Sequence, residues 1–431
     1  MNRKILHIAL PSIISTLTVP MLGLVDLGLS GHLNSSTEMG AIAVGAMIFN
    51  LVYWLFGFLR MSTGSLTAQA YGSHDAAMTF EVGARSVAIA LLCSLFIILF
   101  QRPVEWLSLW LIGPSAEVGA VVQTYFRILV YGAPAVLLSF CFAGWFLGMQ
   151  NARVPMWVSI IQNIVNMCIS TFFVVRCQWG VVGIAWGTFI AQYVALIMYV
   201  AAWMVRYTHL RKYWINIKVF SRQKLREFAR MNSDLFLRTL CMISVQLFFT
   251  SFGARQGNDI LAANAVLLQL FILFSYFLDG FAYAGEALGG YFVGANERDS
   301  YTLLKTMLFR WGWGIVAMAT FCFAIGGSWV IGLLTDKSEV ASLANYYLPY
   351  VCLVPVCGFA AFLYDGLFLG ATATRYMLVT LIWAVAGFFG IILCLSAVAG
   401  NHALWVAFLA FLLIRSLCQM AYYRKILSRF T

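Results

Sequence analysis

Charge is what this sequence has least of. Only 10% of its 431 residues are charged and 62% are hydrophobic, against roughly 25% and about 45–50% in a soluble globular domain. A water-soluble fold could not hide that much apolar surface. Acids are scarcer than bases, with 16 Asp and Glu against 27 Lys and Arg and a formal charge of +11. The chemistry of metal and redox centres is also missing. The ten cysteines (Cys93, Cys141, Cys168, Cys177, Cys241, Cys322, Cys352, Cys357, Cys394 and Cys418) form no CxxC pair and sit mostly inside apolar runs. There they read as small apolar residues of helix faces, with no disulfide framework and no metal site. The five histidines have no ligand spacing. A membrane-embedded enzyme would need a nucleophile–base pair or a metal cluster at membrane depth, and none appears. The chain is therefore expected to be no enzyme, with no catalytic residue and no cofactor.

What the sequence has in abundance is apolar runs near 20 residues, the length a bilayer-spanning helix needs. Twelve are expected, at about 5–30, 40–59, 82–100, 120–148, 155–176, 181–205, 235–254, 260–286, 303–326, 345–369, 376–398 and 402–422. The first is too long for a signal-peptide core, and no soluble domain is expected beside the membrane part. An even number of spans puts both termini on one side. The basic residues lie between the apolar runs, not on one face, which argues against nucleic acid and for the positive-inside rule. Assigning each Lys or Arg to its nearer helix end leaves all but five of the 27 on the side of the termini. The five are Arg102, Arg127, Arg176, Arg255 and Lys337. Termini and central loop are thus expected to face the cytoplasm, in a bacterial-type cytoplasmic (inner) membrane. The expected organisation is a six-helix lobe over 1–205, a basic cytoplasmic linker over 206–234 and a second six-helix lobe over 235–431. The linker's charges also suit anionic lipid headgroups.

The halves repeat one another. A shift of 222 residues lays Gly144-Trp145-Phe146-Leu147-Gly148 on Gly366-Leu367-Phe368-Leu369-Gly370 and Arg153 on Arg375. It also lays Ala43-Val44 on Ala265-Val266, Phe49 on Phe271, Gly72 on Gly294 and Tyr125 on Tyr347. Six helices per half give both halves the same direction across the membrane. That is a parallel repeat, an arrangement transporters use for alternating access.

Ionisable groups inside spans are costly and point to function. Arg60, Arg85, Arg238, Arg310 and Arg415 fall toward the cytoplasmic ends of their spans, where long side chains snorkel to the interface. Asp26 has a short stem and lies about 22 Å beyond Pro11 along the first span. Pro11 and Pro20 each remove a backbone donor and can bend that helix. A lone acid on a bendable helix suits a proton-coupled switch, because burial raises its proton affinity. The fifth span carries Gln162, Asn163, Asn166 and Ser170, and Thr188 adds a hydroxyl in the sixth. Asn163, Asn166, Ser170 and Thr188 are read as polar partners of Asp26, or else as helix–helix hydrogen bonds. Asp279 and Glu286 on the eighth span and Asp365 on the tenth are secondary candidates. Pairing with an arginine is the structural alternative for Asp279, and solvation at the interface the alternative for Glu286.

With these residues in view, the chain resembles the multidrug and toxic compound extrusion (MATE) family, in its DinF-like branch, over nearly its whole length. The resemblance rests on Leu22-Gly23-Leu24-Val25-Asp26 with Gly31-His32-Leu33, and on Leu59-Arg60-Met61-Ser62-Thr63 running to Thr67-Ala68-Gln69-Ala70-Tyr71-Gly72. Leu278-Asp279-Gly280-Phe281-Ala282-Tyr283-Ala284 with Glu286, and Asn401-His402-Ala403-Leu404-Trp405, complete it. It implies an all-α membrane protein of two pseudo-symmetric six-helix lobes around a central cavity. It implies antiport, with cationic or amphipathic compounds exported against inward proton or sodium movement. Asp26 matches the family's first-helix acid, Pro11 its kink proline, and Asn166 and Thr188 the acid's polar partners. Ser170 stands where the DinF-like pattern has a second Asp. Gln246 and Gly358 stand where the NorM-like branch has its sodium-site acids. The proton is therefore the expected coupling ion, with sodium as the second candidate. The expected partners are a small cationic or amphipathic substrate and membrane lipids, and the chain is expected to be a monomer. The competing reading is a flippase for a lipid-linked substrate on a related fold. Such flippases often have a strongly cationic cavity, whereas most arginines here fall at cytoplasmic helix ends.

Overall fold

The computed structural model describes the backbone of all residues except 31–35, 217–220, 429 and 431. Side chains are described with the further exception of 19–30, 36, 111, 214–216 and 397. Among the described residues the chain is helical and has no strand. Nine α-helices make up the first half: α1 (Asn2–Ser30), α2 (Ser36–Leu55), α3 (Phe58–Gly72), α4 (Ala76–Leu99), α5 (Gln101–Ile112), α6 (Ala116–Leu129), α7 (Ala133–Gly148), α8 (Arg153–Thr171) and α9 (Gly180–Arg206). Six longer ones follow: α10 (Arg222–Arg255), α11 (Asn258–Gly294), α12 (Arg298–Leu334), α13 (Ser338–Gly370), α14 (Thr374–Ala399) and α15 (Asn401–Leu427). Among the described residues, eleven helical stretches are long and apolar enough to cross a membrane, with α2–α3 and α6–α7 each acting as one. With the 29-residue α1 they make twelve spans.

Several helices outrun the spans expected from hydropathy. α11 and α12 have 37 residues each, about 55 Å against a hydrocarbon core of about 30 Å. The largest difference concerns Phe58–Gly72, a polar stretch beyond the apolar run ending at 59. It is helix, and Ser62, Thr63, Ser65 and Thr67 are fully buried in it. The Ser62, Thr63 and Ser65 hydroxyls are accommodated by bonding back along the helix. Thr63 donates to the carbonyl of Leu59 at 2.6 Å and Ser65 to that of Met61 at 2.7 Å. Helix continuation here depends on small side chains and local acceptors, to which a hydropathy window is blind.

The chain divides into two compact units. One comprises Ile14–Glu227; the other joins Met1–Ile13 to Phe228–Thr431. In the first, Phe49, Tyr125, Phe126, Leu129 and Leu137 centre the apolar core. In the second, Phe249, Trp405 and Phe408 pack edge to face. Beside them Asn264 and Asn401 exchange amide hydrogen bonds at 2.8 and 3.0 Å. The Trp405 ring N–H also donates to Asn264, at 3.0 Å. The first residues of α1 belong to this unit, with the Ala9 carbonyl and Ile13 packed on Gly280 of α11.

The 222-residue repeat is present in the packing of each unit. A Cβ on Gly144 would overlap the carbonyl oxygen of Arg60, and one on Gly366 that of Ala282. A Cβ on Gly148 would lie 2.6 Å from the Gly64 oxygen, and one on Gly370 2.7 Å from the Glu286 oxygen. Every residue in the second set is its counterpart plus 222. Small residues thus bring α3 against α7 and α11 against α13 at backbone contact. The helix ends repeat too. His74, Gln150, Asn296 and Thr372 are all left-handed, with φ between 50° and 59°. Each is followed by an N–H that reaches back to close the turn: Asp75 to Ala70, Asn151 to Phe146, Glu297 to Phe292 and Ala373 to Phe368, at 2.8–3.0 Å. These are Schellman caps, two per half at the same offset.

Candidate functional site

The polar side chains of α8 stitch it to two neighbours. On one side, the Ser159 hydroxyl lies 3.1 Å from that of Thr18 and 3.5 Å from the carbonyl of Ser15. One turn on, the Asn163 amide donates to the carbonyl of Thr18 at 3.1 Å. On the other side, the Asn166 amide donates to the Thr188 hydroxyl of α9 at 3.0 Å, while Ser170 donates to the Asn166 oxygen at 3.4 Å. Asn166 and Ser170 are buried. Gly187 lets the helices meet there, since a Cβ on it would overlap the Ser170 hydroxyl. Three of the expected partners, Asn166, Ser170 and Thr188, therefore form one chain of hydrogen bonds. Asn163 belongs to a separate contact with α1, because residues three apart on a helix differ by about 60° around the axis.

The contacts with α1 set a register. Ser15 meets Ser159 and Thr18 meets Asn163, so the two helices run the same way. Asp26 is two turns beyond Thr18, about 12 Å along α1. Asp26 and Pro20 lie in α1, but their side chains lie outside the described residues. Pro11 falls just before the boundary between Ile13 and Ile14 where the chain passes from one compact unit to the other.

Asp365 and Glu286 of the second unit are both buried. Asp365 is buried in α13 and accepts from the Arg238 guanidinium of α10 and from Arg415 of α15. Gln419 donates to its second oxygen at 2.6 Å. Arg415 is only 2% exposed and also interacts electrostatically with Asp279. The snorkelling reading of Arg238 and Arg415 is thus overturned: each is buried inside its own unit and held by a carboxylate. The same holds for Arg85, which is buried and paired with Glu81, itself 2.7 Å from Lys224. Glu286 is 1% exposed, so interfacial solvation does not describe it. Glu81 stands one turn before Arg85, a pair legible in the sequence, but for Arg238 and Arg415 the signal was present only as composition: arginines on apolar helices need carboxylates at the same depth. The partners are 127 and 50 residues apart in the chain, so no local pattern joins them.

This cluster ties α10, α13 and α15 together, and its removal should be costly. Asp365→Ala leaves two buried guanidinium groups without their carboxylate, a loss of about 3–5 kcal/mol. Arg238→Met should cost less, because Arg415 and Gln419 still hold Asp365. Thermal unfolding in detergent checks the order, and equal melting points for the two variants would refute it.

The MatE family model matches this chain twice, over residues 11–172 and 235–395. The two matches fall one in each half of the repeat. The chain is 37% identical to DNA damage-inducible protein F of Escherichia coli (strain K12), over 98% of this chain and 92% of that one. It is 21% identical to the multidrug export protein MepA of Staphylococcus aureus (strain MSSA476), over 97% and 92% respectively. Its fold also matches a solved structure described as the outward-facing conformation of a multidrug resistance MATE family transporter of the MOP superfamily. That match has a TM-score of 0.88 at 17% identity and covers 99% of this chain and 96% of that one.

Proposed function

The chain belongs to the MatE family and is a membrane transporter rather than an enzyme, and from that premise we propose that it exports cationic or amphipathic small molecules in exchange for protons. Its two six-helix lobes would alternate access, with Asp26 as the proton carrier. The observation that carries this reading is the register of α1 on α8. Ser15 and Thr18 of the helix that carries the one acid contact Ser159 and Asn163 of the helix that carries the Asn166–Thr188 hydrogen-bond chain. A sodium ion wants several oxygen ligands. Here the Asn166 oxygen accepts from Ser170 and the Thr188 hydroxyl accepts from Asn166, so both are engaged within the protein. A single acid on an apolar helix is better suited to titrate near neutral pH. Charged, Asp26 favours a cationic substrate. Protonated, it has a donor to offer and no charge to solvate, which shifts the balance between the two access states by its differential stability in each. Proteoliposomes with separately imposed gradients test the reading. Export should follow a pH gradient without sodium, and an absolute sodium requirement would refute it.

The same proposal places both termini and the linker on the cytoplasmic side, on the strength of the basic residues of 206–230. In intact cells, a cysteine at Ser221 should resist an impermeant thiol reagent, while one at Ser338 should react. The opposite pattern would invert the topology.

A further inference from the structure

A groove at the far end of the first unit is lined by none of the residues assigned to proton coupling. Glu81, in the early turns of α4, is bound to Lys224 just inside α10. The 24 residues of α4 rise about 36 Å, so its last turn emerges at the opposite boundary of the bilayer. There the chain enters α5, whose 12 residues are too few to span. An open groove of about 540 Å³ is lined by Arg102, Glu105, Trp106 and Trp110 of α5 and by Gln123 and Arg127 of α6. Trp106 and Trp110 are 66% and 68% exposed, with rings 6.4 Å apart and nearly parallel. Glu105 is buried and lies 3.8 Å from Arg127. Among the described residues Arg102 is in no ion pair.

Each feature points to the same kind of ligand. Paired exposed tryptophans belong at headgroup level, where an amphipathic ring has one side in hydrocarbon and one in water. Two guanidinium groups against one carboxylate leave a net positive charge, and the planar fork of arginine matches phosphate oxygens. Glu105 occupies one side of Arg127 and leaves further N–H donors of that fork available. Immediately before α5, the last turns of α4 expose Leu92, Leu95, Phe96 and Leu99, a surface for acyl chains. We propose that this groove binds a phospholipid of the adjoining leaflet, with its phosphate held by Arg102 and Arg127, its headgroup against the two tryptophans and its chains along α4. The assignment does not depend on which membrane face is cytoplasmic.

Native mass spectrometry of the full chain, titrated with phosphatidylethanolamine and phosphatidylglycerol in detergent, tests it. The wild type should hold one phospholipid. Arg102→Gln should weaken retention about fivefold, and Arg102→Gln with Arg127→Gln by roughly twentyfold. Arg102 is exposed and unpaired among the described residues, so the single variant does not threaten folding. Inorganic phosphate should fail to displace the lipid. Wild-type retention by the folded double variant overturns the site. Displacement by inorganic phosphate at comparable concentration shows a free-anion site instead, and overturns the lipid assignment.

Discussion

Asp26→Asn should abolish gradient-driven export while leaving the protein folded. The substitution keeps the size of the side chain and mimics the protonated acid, so the access state favoured by protonation becomes permanent. Coupling requires that a proton bind one state better than the other, and an amide that cannot titrate removes that difference. The expected loss is complete for uphill transport; downhill equilibration of substrate can persist. Melting temperature and elution profile should match wild type, since the amide has the size of the carboxyl group it replaces. Ser170→Asp makes the complementary experiment. It introduces a second acid on α8, and on the proposed site repulsion between like charges should shift the pH dependence of export toward higher pH, because one of the two acids then holds its proton more tightly. Export by Asp26→Asn at the wild-type rate would remove Asp26 from the mechanism.

Gly366→Leu and Gly144→Leu should prevent accumulation of folded protein. At both positions even a Cβ would overlap a backbone carbonyl oxygen of the facing helix, Ala282 in one case and Arg60 in the other. A backbone atom cannot move aside as a side-chain tip can, so the helix pair must separate. Separation would also break the neighbouring contacts of Gly370 and Gly148. The cost exceeds the roughly 1–3 kcal/mol typical of overpacking at a yielding site, which is a large share of a marginal stability. Gly314→Ala is the control. It lies on the same family of long helices but has nothing within 4 Å of the added carbon, and it should change stability by less than about 1 kcal/mol. Expression followed by size-exclusion chromatography separates the cases. Normal yields of Gly366→Leu and Gly144→Leu would show that the close helix contacts are not required.

The repeat makes these two sites one prediction. It was legible in sequence as a single offset, although each matched pair alone was weak. The structure gives the offset its physical content. Gly144 and Gly148, retained as Gly366 and Gly370, are at backbone contact, and both halves close two helices with a left-handed residue at the same offset. The polar partners of α8 were legible for a related reason. Asn166 and Ser170 are one turn apart, and a helix puts residues one turn apart on one face whatever surrounds it. The separation of Asn163 from that pair was not legible, because only the neighbouring helix decides which face is which.

What the sequence determined by itself is whatever depends on local transfer from water. Spans, their number and the absence of a soluble core follow from apolar runs of bilayer length. Those runs must bond their own backbone groups, and so become helices. What only the tertiary structure decided is how the buried polar groups are satisfied. The polar run Phe58–Gly72 is a buried helix because the Ser62, Thr63 and Ser65 hydroxyls find carbonyls one turn back and its small residues fit against α7. Arg238 and Arg415 are interior residues because Asp365, far away in the chain, meets them both. A charge in an apolar helix states a debt of solvation but not its partner. Hydropathy adds up along the chain, whereas an ion pair exists only where the fold brings two distant segments together.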